Sequence, residues 1–364
     1  MEITNQIITY KQIREGFVVE RDDAGIAAYD VTPERIKTFL SNPFLKDDSK
    51  CMVLLSRVDG VVRGVTSMFP TLTKIGEELV ESVGGSALIV QDEYQQYALG
   101  TELVSYPMVY ENNKFLLYSG FSNDGLSLYK AMRFCMFTMP KMVLPISPRL
   151  IFERYGLKGI WQDLATFGAK CVITPYIAIR KMALCGLKRK YRVEKLEKVP
   201  SWVDDIVLND GHKYTEYHNQ AWFQWCIDNG FMSNPRECQT FFAIYKEDKP
   251  VGFYMVKDRL RIMKGIKEHK MVFRSIVEWG SVDENELSEY DIYRLAMMNL
   301  PNDVKMLQVA SDNECVIRKL KKLCFFHHGD VNTACRDLTH KYKDYKDKKL
   351  WRLRIGYNDV NFGI

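Results

Sequence analysis

Apolar and polar positions alternate in short blocks through the first half of the chain. KCMVLLSRVDGVVRGVTSMFP (Lys50–Pro70) sets two apolar runs on either side of Asp59-Gly60. That pair favours a tight turn, so the stretch predicts two antiparallel strands. SALIV (Ser86–Val90) is a short apolar run behind Gly84-Gly85, the pattern of a buried strand. YALGTELVSYPMVYEN then takes a helical period, with Pro107 placed to kink or end it. KFLLYSGF (Lys114–Phe121) predicts another strand. SNDGLSLYKAMRF opens on the cap-type residues Ser122, Asn123 and Asp124 before a second helix. Three strands, a helix, a strand and a helix in that order predict an α/β sandwich, a mixed sheet with helices packed on it.

The second half echoes this order. TFFAIYKEDKPVGFYMVKD (Thr240–Asp258) again reads as two strands around a polar turn, and FRSIVEWGSV (Phe273–Val282) matches the buried strand. ELSEYDIYRLAMMNL is helical, and VKMLQVASDNECVIRKLKKLCFF (Val304–Phe326) repeats strand, Asp-Asn turn and helix. The pattern predicts a duplicated fold.

Composition adds three points. A chain of 364 residues is long enough for two cores. Its nine cysteines include no C-x-x-C pair, which fits a reducing compartment and leads us to expect a cytoplasmic protein. Neither a secretory leader at Met1–Gly16 nor a spanning apolar run is expected. Charge is uneven. Residues 1–165 carry 17 Lys/Arg against 20 Asp/Glu, whereas residues 166–192 carry seven basic residues and no acid. The expected organisation is therefore a domain at 1–165, a basic linker at 166–192 and a second domain at 193–364. So local an excess does not suit a DNA-binding protein. It reads as a solvated face or as a contact for RNA or a membrane surface.

The chemistry concentrates at QDEYQQYALG, where a strand hands over to a helix. A helix N-terminus behind a turn of small residues presents free N–H groups and a positive dipole end, which suits a pyrophosphate. Gln95, Ala98 and Gly100, followed one strand later by Asn123, Leu128-Tyr129 and Phe134, resemble the motifs of the GNAT (N-acetyltransferase) superfamily. With the echo in the second half, the chain resembles a tandem GNAT-like protein with a degenerate second half. The resemblance implies two GNAT-like domains, each a mixed central sheet flanked by helices, and acetyl-CoA as co-substrate with no metal. It implies that Ile89 and Val90 pair with the pantetheine arm. Backbone groups of Gln95, Gln96, Tyr97, Ala98, Leu99, Gly100 and Thr101 hold the pyrophosphate, and Asn123 contacts the pantetheine or positions a water. Tyr129 is the implied general acid. Glu81 is taken as the candidate base, with Glu78 and Tyr118 as other choices. The implied acceptor is an amine on a small molecule or an amino sugar.

Two glycines of the family's phosphate turn are absent here, and Asp92 and Glu93 add negative charge beside it. The matching stretch of the second half, SVDENELSEYD, has no glycine and several acids, so no CoA is expected there. Two other readings fit the same pattern. One is a Fem-like transferase that takes its acyl group from aminoacyl-tRNA, with 166–192 as the RNA contact. The other is a non-catalytic GNAT-fold binding protein.

Overall fold

The computed structural model describes residues 1–18, 32–149, 152, 156–229, 237–263 and 269–356. The first half contains β1 (Ile3–Thr9), α1 (Tyr10–Arg14), α2 (Pro33–Leu40), β2 (Cys51–Val58), β3 (Val61–Ile75) and β4 (Glu78–Val90). A 3₁₀ turn (Asp92–Tyr97) leads to α3 (Leu99–Val109), β5 (Phe115–Ser119), α4 (Asn123–Ala131) and β6 (Cys135–Pro145). Next come α5 (Gly159–Ala183), α6 (Cys185–Lys190), β7 (Arg192–Leu196), α7 (Trp202–Leu208), β8 (Tyr214–Glu216) and α8 (Gln220–Asp228). The chain continues through β9 (Glu237–Lys246), β10 (Lys249–Met263), β11 (His269–Ser281) and α9 (Glu289–Met298). It closes with β12 (Val304–Ala310), α10 (Glu314–Lys322) and β13 (Phe326–Asp337).

These elements form two compact units that are not contiguous in sequence. Unit 1 takes Met1–Thr138, Gly211–Ser233 and Val331–Ile364; unit 2 takes Met139–Asp210 and Asn234–Asp330. The contiguous division at 165 and 193 is therefore not the one observed. The causes are the return of Gly211–Ser233 to unit 1, where β8 pairs with β3, and an exchange of strands. In unit 1 the order is β1-β2-β3-β4-β5-β13, so the sheet is completed by a strand from the end of the chain. In unit 2 the order is β7-β9-β10-β11-β12-β6, completed by a strand from the first half. The basic segment 166–192 is not a linker: it lies inside unit 2, in α5 and α6 and the start of β7.

Both units are built alike. Each has one parallel pair, β4 with β5 and β11 with β12, in an otherwise antiparallel run. The hairpin β2–β3 turns at Asp59 (φ 49°) and Gly60 (φ 83°), and β9–β10 turns at Glu247 (φ 47°) and Asp248 (φ 63°). Two consecutive positive φ values give the turn whose twist matches its strands. The helices before the exchanged strands also end alike. Arg133 and Cys324 are both left-handed at φ 61°. Phe134 N–H then bonds Tyr129 C=O, and Phe325 N–H bonds Leu320 C=O. The duplication expected from the sequence is thus present down to the helix caps.

Each unit has its own core. Leu54, Met68, Val83, Leu103, Leu116 and Ala334 are buried together in unit 1. Leu144, Ile244, Val256, Ile276, Leu295 and Leu307 are buried together in unit 2. Burying one such large aliphatic side chain contributes roughly 1.5–3 kcal/mol. Among the described residues no helix is long and apolar enough to cross a membrane.

Candidate active site

In unit 1 the parallel strands β4 and β5 pair only at Ser82–Phe115 and Val83–Leu116. Beyond these two pairs β4 runs on to Val90 along β3 while β5 ends at Ser119. The strands part, and a cavity of about 550 Å³ opens between them. Two features of β4 shape it. A bulge lies between Ser86 and Ile89, because two steps of β3 (Ser67 to Val65) are matched by three of β4. Bulges bend a strand and re-aim its backbone groups. Gln91 N–H donates to Arg63 C=O on the β3 side. By the alternation of a strand, Val90 N–H points off the opposite edge, toward the parting.

The cavity also receives the turn after β4. Ala98 is left-handed (φ 61°, ψ 14°) and is the N-cap residue of α3, and no side chain caps that helix. Thr101 N–H and Glu102 N–H both bond Ala98 C=O, at 2.9 and 3.1 Å. The leading N–H groups at Leu99 and Gly100 precede the first intrahelical bond and are left for an outside acceptor. The positive end of the α3 dipole lies at the same place. A left-handed alanine costs about 1 kcal/mol, a strain held here at a turn that could have used glycine. Gly100 has no such need. A Cβ there would meet Leu128 at 3.5 Å and Val90 at 3.7 Å, ordinary contacts.

The far wall is aromatic. Tyr129, on α4, packs against Phe121 at 4.7 Å, Tyr118 at 5.1 Å and Phe134 at 5.2 Å between ring centroids. Tyr118 lies over Gly85, where a Cβ would sit 2.4 Å from its ring. Glycine is required at this position for close approach, not for backbone angle. Burial, with smaller effects from Tyr129 and Glu111, pushes the Tyr118 phenol well above its usual range, so it stays protonated at neutral pH.

The cavity therefore gathers Ile89, Val90, Gln95, Ala98, Gly100, Thr101 and Tyr129 from the sequence expectation. The side chains of Gln96, Tyr97 and Leu99 do not line it. Gln96 and Tyr97 are exposed on the 3₁₀ turn, and Leu99 is buried in the core. The Thr101 N–H is already bonded within the helix. The Asn123 side chain lies outside the described residues. Glu81 is exposed on β4, opposite Leu72, and is not a lining residue. Glu78 is held by Lys341 Nζ (2.7 Å) and the Tyr342 hydroxyl (2.9 Å) on the surface, which keeps its carboxyl below the usual range. Sequence reasoning missed Thr66, Gly85, Ser86 and Asp124, which also line the cavity. Gly84-Gly85 was a visible signal, read only as a strand boundary.

No protein-family model matches the chain, and no curated protein matches it by sequence. Solved structures do match in fold. A GCN5-related N-acetyltransferase from Anabaena variabilis superposes with a TM-score of 0.55 at 10% identity, over 93% of this chain and 74% of that one. Saccharomyces cerevisiae N-myristoyltransferase with bound myristoyl-CoA superposes with a TM-score of 0.56 at 11% identity, over 92% of this chain and 79% of that one. A GCN5-related N-acetyltransferase from Kribbella flavida gives 0.50 at 12%, over 92% and 71%. The chain has the fold of these N-acetyltransferases and of N-myristoyltransferase, the GNAT fold that its motifs resemble.

Proposed function

We propose that unit 1 is an acyl-CoA-dependent N-acyltransferase that moves an acetyl group from acetyl-CoA to an amine on a small molecule or an amino sugar. One observation carries the reading. The free edge of β4, the uncapped start of α3 and the phenol of Tyr129 all border one cavity. That is what an extended thioester bearing a pyrophosphate requires: an edge to pair with, a positive end to neutralise the anion and a proton donor at the sulfur. The neighbour from yeast was solved with an acyl-CoA bound.

The residues divide the work as follows. Leu99 and Gly100 N–H groups and the α3 dipole hold the pyrophosphate. The edge of β4 at Ile89 and Val90 pairs with the pantetheine amides as an added strand would. The amine nitrogen attacks the thioester carbonyl carbon, a C–N bond forms and the C–S bond breaks. A backbone N–H near the β4 bulge stabilises the oxyanion. Tyr129 gives its proton to the leaving thiolate. Asp124 is the one carboxylate among the lining residues, at the start of α4, and we assign it no base role; the amine proton leaves through water.

The test is release of free CoA thiol from acetyl-CoA across a panel of amine acceptors, with Tyr129→Phe beside the native protein. The variant keeps the ring stack and removes the proton. Its kcat is expected to fall about 100-fold with little change in the KM for acetyl-CoA. Unchanged kcat would remove Tyr129 from the mechanism. Absence of turnover and of binding together would overturn the reading.

A further inference from the structure

The start of helix α5 of unit 2, Gly159–Cys171, is inverted with respect to an ordinary surface helix. Its apolar side chains face out: Ile160 is 61% exposed, Trp161 71%, Leu164 57% and Phe167 72%. Two of its polar side chains face in: Gln162 is 3% exposed and Thr166 7%. A helix turns 100° per residue, so 160, 161, 164 and 167 share one face and 162 and 166 the opposite one. Folding alone does not produce this arrangement, because an aromatic and aliphatic stripe left in water gains nothing from the hydrophobic effect.

Charge identifies what the face meets. From Thr166 to Arg192 the chain carries seven basic residues and no acid. Lys170, just past the stripe, is exposed, as are Lys188, Arg189 and Lys190 of α6. Asp163, the acid within the stripe, is paired with the buried Arg149 at 2.5 Å. Two copies of this face would bring like charges together, which disfavours self-association. A nucleic acid would use the cations and leave Trp161, Leu164 and Phe167 in water. A bilayer with anionic headgroups uses both: the acyl boundary takes the apolar stripe and the headgroups take the basic residues.

We propose that α5 and α6 form an interfacial docking surface for an anionic phospholipid membrane, with Trp161, Leu164 and Phe167 inserted and Lys170, Lys188, Arg189 and Lys190 on the headgroups. The surface goes beyond the acyltransferase reading and stands or falls without it.

The experiment is co-sedimentation of the full chain with phosphatidylcholine vesicles, alone or with about one-third phosphatidylglycerol. Comparison is made with a Trp161→Ser, Phe167→Ser double variant and a Lys188→Glu, Arg189→Glu double variant. All four positions are exposed, so the melting temperature should not move, and a thermal scan checks this. Binding is expected only with the anionic lipid. The apolar variant should lose it at least tenfold, since inserting one such ring contributes roughly that factor. The charge variant should lose about fivefold per charge removed, and added salt should weaken binding. Equal binding to neutral vesicles, full binding by the apolar variant, or light scattering that shows a dimer joined through this face would each overturn the proposal. Salt-sensitive capture of a single-stranded RNA oligonucleotide, unaffected by the apolar variant, would replace it with the nucleic-acid reading.

Discussion

The two units repeat one plan and differ at the point where unit 1 opens its cavity. Counting back from the shared helix ends, Tyr129 in unit 1 corresponds to Leu320 in unit 2, since each accepts the bond from the phenylalanine just before the exchanged strand. The same count, carried through the strand registers, sets Gly85 against Ile276 and Tyr118 against Val309. Unit 1 thus has glycine and two tyrosines where unit 2 has three aliphatic residues, all buried. The helix starts differ as well. In unit 2, α9 is capped by Ser288, whose hydroxyl accepts from Asp291 N–H, and its first turn carries Glu289 and Asp291. Unit 1 leaves the start of α3 uncapped. Tyr293 of α9 also donates to Ala310 C=O at 2.6 Å and so ties that helix to the end of β12. The same scaffold either presents a polar edge or seals it. The strand order stays fixed while the side chains at these positions differ.

Substitutions that copy one unit's solution into the other, or strain it, sharpen this contrast. The largest effect is expected from Gly85→Ala, which puts a Cβ 2.4 Å from the Tyr118 ring. Overpacking of this kind destabilises by about 1–3 kcal/mol. Gly280→Ala in unit 2 meets Phe253 at 2.6 Å and Ile206 at 2.9 Å and should destabilise to a similar degree. Only the unit 1 variant should also lose acetyl-CoA binding, measured in parallel with denaturant melts. A middle effect is expected from Ala98→Gly. Relief of the left-handed alanine should stabilise the protein by about 1 kcal/mol while binding is kept. If the melt does not rise, the turn is not strained as described.

The smallest effect concerns pH. Asp344 accepts from Lys213 Nζ at 2.5 Å and from the Tyr214 hydroxyl, and these bonds hold its carboxyl below the usual range. A lowered folded-state pKa gives stability that is complete above the unfolded pKa and fades as pH falls through the folded one. The pair is well exposed, so Asp344→Asn should cost only about 0.3 kcal/mol at neutral pH. The gap to the native protein should close on acidification in a series of melts. A gap that persists in acid would assign it to packing instead.

Much of this contrast was legible in the sequence. Periodicity located β2 to β5 and their echoes, because each strand is a short apolar run with turn residues at its ends. Asp59-Gly60 marked its hairpin, and SVDENELSEYD marked the start of α9 with its acidic first turn. The exchange of β6 and β13 was not legible. It is a long-range pairing, and both strands follow local signals that suit a contiguous domain equally well. The charge run 166–192 misled for a related reason: composition reports solvation, not which unit a segment joins. Glu81 lies outside the cavity lining, and an apolar run does not reveal where two parallel strands stop pairing. Gly85 was overlooked because its partner, Tyr118, lies more than thirty residues away.

The most direct test of the central claim is a calorimetric titration of acetyl-CoA into the full chain, repeated on Gly100→Glu. The start of α3 at the cavity takes the added carboxylate where the pyrophosphate would lie, while an added Cβ at Gly100 meets only ordinary contacts. The account predicts one site per chain in the native protein and none in the variant. Two sites per chain, or binding that survives the variant, would contradict the division between an open unit 1 and a sealed unit 2.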